Sequence, residues 1–181
     1  MKQWYEKFFE ELLIVEGGYV NNPDDSGGRT RYGITEAVAR ANGYKDDMRE
    51  LPLPFAKKVY KRKYWDVLNI DVIAEMDQDI AYKLADIAVN MGPKRAAEFL
   101  QRLLNALNRG EKDYQDITVD CEVGPRTISA LRAYMAYRKK DGALVLCRGL
   151  NCLQGAFYVN LAEKRRKDEA FLYGWLLNRI S

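Results

Sequence analysis

The sequence predicts a mainly α protein with one small β-hairpin between its first two helices. Three observations carry that expectation. Apolar residues recur at helical spacing over most of the chain. The runs are punctuated by Gly, Pro and Asn rather than by long polar tracts. One segment alone, Tyr19 to Ile34, holds too many Gly, Asn, Asp and Pro residues for a helix.

The first helix is expected from about Lys2 to Glu16, where Trp4, Phe8, Leu12 and Val15 recur at helical spacing. Gly17-Gly18 stops it. Short extended pieces around an Asp25-Ser26-Gly27-Gly28 turn would form the hairpin. Thr35 can cap a helix through Arg40 that ends near Asn42-Gly43. Pro54 to Leu68 follows, with Phe55, Val59, Tyr60 and Tyr64 inward and a lysine-rich wet face from Lys57 to Lys63. Asp77 to Met91 places Ile80, Leu84, Ile87, Ala88 and Met91 inward, and Gly92-Pro93 ends it. Lys94 to Leu107 turns Ala97, Leu100, Leu103, Leu104 and Leu107 inward, up to the break at Asn108-Arg109-Gly110. A polar loop from Glu111 to Gly124 leads to helices at Pro125 to Tyr137, Ala143 to Lys167 and Asp168 to Arg179. No internal repeat is present, and a soft boundary is expected at Met91-Gly92-Pro93.

Composition excludes several chemistries. The 181 residues suffice for one domain or two small ones. No histidine is present, which removes His-based triads, His metal sites and His general bases. Acid–base work must fall mainly to Asp and Glu. Cys121, Cys147 and Cys152 form no Cys-x-x-Cys pair, so buried free thiols are expected. The net charge of +3 does not demand a nucleic-acid partner. No segment reaches the roughly 20 apolar residues of a membrane span, and the N-terminus does not read as a secretory signal.

Glu16 stands out. It ends an apolar helix pattern, ahead of a polar, glycine-rich stretch. A carboxylate at a helix C-terminus meets the negative end of the dipole and, if desolvated, holds its proton more tightly. A glycosidase needs such a proton donor for its leaving group. Asp24 or Asp25 follows, where a second carboxylate can orient a water.

The string Glu16-Gly17-Gly18-Tyr19, then Asp25-Ser26-Gly27-Gly28-Arg29-Thr30-Arg31-Tyr32-Gly33-Ile34-Thr35, resembles glycoside hydrolase family 108. These are N-acetylmuramidases of the lysozyme superfamily, some labelled secretion activators. Further resemblance lies at Asp86-Ile87-Ala88-Val89-Asn90-Met91-Gly92 and Leu100-Gln101. The second half resembles the family's peptidoglycan-binding region through Gly124-Pro125-Arg126-Thr127 and Phe171-x-x-Gly174-Trp175-Leu176-x-x-Arg179.

The resemblance implies a lysozyme-like helical fold, with a catalytic region over 1–91 and a helical wall-binding region over 92–181. It implies cleavage of the β-1,4 bond between N-acetylmuramic acid and N-acetylglucosamine, with Glu16 as the acid. Comparison with phage-type lysozymes puts Asp25 at the spacing of their aspartate. It leaves the threonine role between Thr30 and Thr35, because Arg31 holds the expected place. On this reading Asp25 holds a water and Thr30 or Thr35 hydrogen-bonds it. Tyr19 and Tyr32 line the groove, and Asn90 binds an acetamido group. Neither cofactor nor metal is needed. A monomer is expected, made without a visible signal peptide and acting on peptidoglycan in the periplasm or outside the cell. A noncatalytic wall-binding or secretion-accessory protein on the same fold is the alternative.

Each residue also has a structural reading. Asp24 and Asp25 are ordinary turn formers. Thr35 reads as an N-cap, Asn90 as a helix-end residue, the tyrosines as core, and the basic stretches Lys57 to Lys63 and Lys164 to Lys167 as solvated helix faces.

Overall fold

The computed structural model describes Glu6, Phe8, Phe9, residues 18–20 and residues 29–180. Glu16, Asp24, Asp25 and the expected Asp25-Ser26-Gly27-Gly28 turn lie outside the described residues. The chain divides into two compact units, Met1–Lys63 and Tyr64–Ser181. This division by packing falls earlier in the chain than the functional division expected at Met91-Gly92.

In the first unit, Glu6, Phe8 and Phe9 are helical, and both phenylalanines are buried. Strands β1 (Thr30–Arg31) and β2 (Ile34–Thr35) pair antiparallel. The described hairpin turns at Tyr32-Gly33. Helix α1 (Glu36–Ala41) starts where Thr35 Oγ1 accepts from Val38 N at 3.3 Å and ends at Asn42, as expected from the sequence. A 3-10 turn, Met48–Glu50, buries Met48. Helix α2 (Leu53–Tyr60) buries Ala56, Val59 and Tyr60.

The stretch expected as one helix from Pro54 to Leu68 is helical but changes pitch. After α2 comes a π-helical turn, Lys61–Trp65, then a 3-10 turn, Asp66–Leu68, closed by Asn69 at φ 51°. The wider π turn moves the buried stripe by a residue. Trp65 and Leu68 are buried, whereas Tyr64, the expected inward residue, is half-buried. The boundary between the two units falls inside this π turn.

The second unit holds α3 (Ile70–Met76), α4 (Gln78–Met91), α5 (Pro93–Leu107), α6 (Pro125–Arg138), α7 (Gly142–Lys164) and α8 (Glu169–Arg179). Helix α3 was not expected. It is only two turns long, and its apolar residues continue the preceding run. Asp77 separates it from α4, its carboxylate accepting from the N–H groups of Asp79 and Ile80.

Helix α4 packs against α3, α5 and α7. Ile80, Ala81, Leu84, Ile87 and Ala88 are buried as the core of this unit, while Met91 is only half-buried. A helix packed on several sides must bury more than one stripe, and here Lys83 and Asp86 go under as well. Gly92 takes φ 88°, which a side chain would strain, and lets the chain turn directly into Pro93 at the head of α5.

The loop between α5 and α6 is held by two buried amides. Gln101 Nε2 donates to Asp120 Oδ1 at 2.7 Å, Glu122 O at 2.9 Å and Thr127 Oγ1 at 3.0 Å, and its Oε1 accepts from Cys121 N. Asn108 Nδ2 donates to Asp116 Oδ1 at 2.6 Å and to Tyr114 O, and its Oδ1 accepts from Glu111 N. Helix α7 ends at Lys164, short of the expected Lys167, and a 3-10 turn bridges to α8. All three cysteines are free, but Cys152 is exposed and Cys121 and Cys147 are half-buried, so the expectation of buried thiols is corrected.

Candidate active site

The described part of the site is built on the hairpin. Thr30 N donates to Val20 O and Val20 N to Thr30 O, both at 2.8 Å. Thr30 therefore spends its backbone groups on Val20, so its pairing with Thr35 is of the non-hydrogen-bonded kind, in which side chains lie closest. Thr30 and Thr35 are neighbours on one face of the hairpin. Ile34, on the opposite face by strand alternation, is buried. The Val20–Thr30 bridge also brings together the two ends of the segment that carries Asp24 and Asp25.

Tyr32 and Gly33 both have positive φ, 52° and 69°. That is the type I′ turn a two-residue hairpin favours. Glycine accepts it freely, whereas a tyrosine there costs about 1 kcal/mol. Two contacts hold Tyr32 in place. Tyr60 Oη donates to its carbonyl at 3.1 Å, and the Arg31 guanidinium lies 5.1 Å from its ring centroid. Tyr19 is half-buried, with the Arg49 guanidinium 5.6 Å from its ring centroid. Sequence reasoning missed Tyr60, Arg31 and Arg49 as supports, because their spacing reads as core or as solvated charge.

Thr30, Thr35, Tyr32 and Tyr19 thus belong to the first unit. Asn90 belongs to the second and is exposed near the end of α4. Its Nδ2 donates to Asp86 O at 2.8 Å and Asp86 Oδ1 at 3.0 Å.

The later motif residues also converge. Leu100-Gln101 and Gly124-Pro125-Arg126-Thr127 meet through the bond from Gln101 to Thr127. Asp86 meets Arg179 at 2.8 Å, and Trp175 stacks on Tyr158 with ring centroids 5.1 Å apart. Among the described residues, no group of three or more Cys, Asp or Glu side chains could hold a metal ion. None of their helices is long and apolar enough to cross a membrane.

The solved structure of SagA from Brucella abortus is similar, at 22% identity, a TM-score of 0.57 and 97% coverage of both chains. At that identity the likeness concerns the fold. No curated protein matches the chain. Residues 9–92 match the model of glycosyl hydrolase 108 and residues 95–180 that of the predicted peptidoglycan domain. The chain therefore joins a glycosyl hydrolase 108 region to a predicted peptidoglycan domain that follows it.

Proposed function

We propose that this glycosidase is an N-acetylmuramidase, cutting the β-1,4 bond between N-acetylmuramic acid and N-acetylglucosamine in peptidoglycan. The observation that carries the reading is the family match over residues 9–92, which contains the string from Glu16 to Thr35. Residues 1–91 act as the catalytic region and 92–181 as the wall-binding region. The enzyme works as a monomer, in the periplasm or outside the cell, and needs no cofactor.

Glu16 protonates the departing glycosidic oxygen. As the bond breaks, positive charge builds on the muramyl ring. Asp25 orients a water or offsets that charge. Thr30 or Thr35 hydrogen-bonds the water; the Thr35 cap uses an acceptor lone pair and leaves its O–H hydrogen able to donate. Tyr32, held in a strained turn, and Tyr19 line the groove. Strain of that kind persists where surrounding contacts over-determine it, often at functional sites. Asn90 hydrogen-bonds an acetamido group.

Turbidity of purified walls tests the reading. Wild type should clear them, at a rate that falls as rising pH ionises Glu16. Glu16→Gln should be slower by about 10²- to 10⁴-fold. Turbidity left unchanged by both proteins would count against catalysis and favour a wall-binding role, and equal clearing by both would count against Glu16 as the acid.

A further inference from the structure

We propose that the groove between α5 and α7 is a second binding site, which takes the carboxylate-bearing peptide stem of peptidoglycan rather than its glycan. The proposal rests on the wall-directed reading above and deepens it. The two helices run antiparallel, with Leu103 against Gly149 and Arg95 over Phe157. Arg95, Phe99 and Arg102 lie on one face of α5 at i, i+4 and i+7. Phe157, Asn160 and Lys164 lie on one face of α7 at i, i+3 and i+7. Together they line a groove of ≈ 400 Å³.

Its chemistry selects an anion with an aliphatic body. Three cations line the groove, and no carboxylate does. Glu98 sits beside Arg95 at 2.5 Å and Arg102 at 3.4 Å, so one carboxylate serves two guanidinium groups. Lys164 has no side-chain partner among the described residues. The Arg95 guanidinium is held between rings, 5.1 Å from the Phe157 centroid and 6.0 Å from that of Phe99. Such a pre-positioned fork matches carboxylate geometry and loses little entropy on binding. Phe157 and its apolar neighbours offer contact to alanyl methyls and diamino-acid methylenes. Sugar alone would leave the excess of three cations over one carboxylate unmatched, whereas a stem peptide supplies several carboxylates. All of these residues fall within the segment matched by the predicted peptidoglycan domain.

Isothermal titration of the full chain with synthetic alanyl-γ-glutamyl-diaminopimelate tests the idea, run beside the same peptide with every carboxyl amidated. Binding of the acid form should weaken with salt. It should fall by about tenfold or more, roughly 1.4 kcal/mol, on amidation or in an Arg102→Gln/Lys164→Gln variant. Both side chains are exposed, and circular dichroism checks that the variant folds. Equal binding of the amidated peptide would overturn the proposal, as would unchanged binding by the variant or displacement of the stem by peptide-free glycan strands. Stronger binding of duplex DNA than of the stem would overturn it in favour of a nucleic-acid site. Wall cleavage is scored separately on wild type. Cleavage without stem binding sinks this proposal alone, and stem binding without cleavage sinks the muramidase reading alone.

Discussion

Arg179 Nη1 meets Asp86 Oδ1 at 2.8 Å across 93 residues of chain, fastening the last helix to the central one. Gln154 Nε2 donates to the other oxygen of Asp86 at 3.2 Å, and Lys83 Nζ donates to Arg179 O at 2.6 Å. Helix α8 buries no residue fully; it packs on α7, where Trp175 stacks on Tyr158, and this polar clamp ties it to α4 as well. Burial lowers the pKa of Lys83, partly opposed by the Asp86 charge. Asp86→Ala would leave Arg179 without its carboxylate and Gln154 Nε2 without that acceptor, and should cost about 3 kcal/mol. Urea unfolding measures it. An Asp86→Ala/Arg179→Leu double variant should lose less than the sum of its singles.

Gln101 is a second joint. Gln101→Leu keeps the apolar stem but leaves Cys121 N without its acceptor and removes the amide from Asp120, Glu122 and Thr127, which keep their remaining bonds; it should cost about 2 kcal/mol. Its signature is local, namely faster proteolysis within residues 108–124 together with a lower Tm. Unchanged protease resistance of that loop would contradict the role.

The cysteines should differ in reactivity. Burial pushes the Cys147 thiol up to about 11, and Cys152 is exposed. Two units above the ordinary value mean a roughly 100-fold smaller thiolate fraction at pH 8. Maleimide labelling followed by peptide mapping should find Cys152 modified well before Cys147.

Acid stability should report on Asp113. This buried carboxylate is bound by Arg109, whose hydrogen bond holds its pKa below the usual range, with Arg138 3.6 Å away. A carboxylate depressed in the folded state contributes stability above its unfolded pKa. That contribution is lost as pH falls through the folded value. Unfolding free energy measured below about pH 4 should therefore drop less steeply in Asp113→Asn than in wild type.

Local signals in the sequence were read where local physics decides the outcome. The Thr35 cap, the Asn42-Gly43 stop and the Gly92-Pro93 joint depend on backbone chemistry a few residues long, and each is present. The hairpin was legible as a small β element, but its described turn is at Tyr32-Gly33. A tyrosine at positive φ has no sequence signature, and it is held there by Tyr60, far along the chain. The π turn at Lys61–Trp65 was invisible to a 3.6-residue template, which chose Tyr64 over Trp65. Lys83 and Asp86 were missed as buried groups because their partners, Arg179 and Gln154, are distant in sequence. At the site, Thr30 and Thr35 stood as alternatives because Arg31 holds the expected place, and the register makes the two threonines neighbours on one face without choosing between them. Glu16 and Asp25 lie outside the described residues, so their roles rest on sequence and family.

The most direct measurement is mass spectrometry of the fragments released from purified peptidoglycan by wild type and by Glu16→Gln. Wild type should release fragments ending in reducing N-acetylmuramic acid, and Glu16→Gln almost none. Reducing N-acetylglucosamine ends, or equal release by both proteins, would contradict a muramidase that uses Glu16 as its acid.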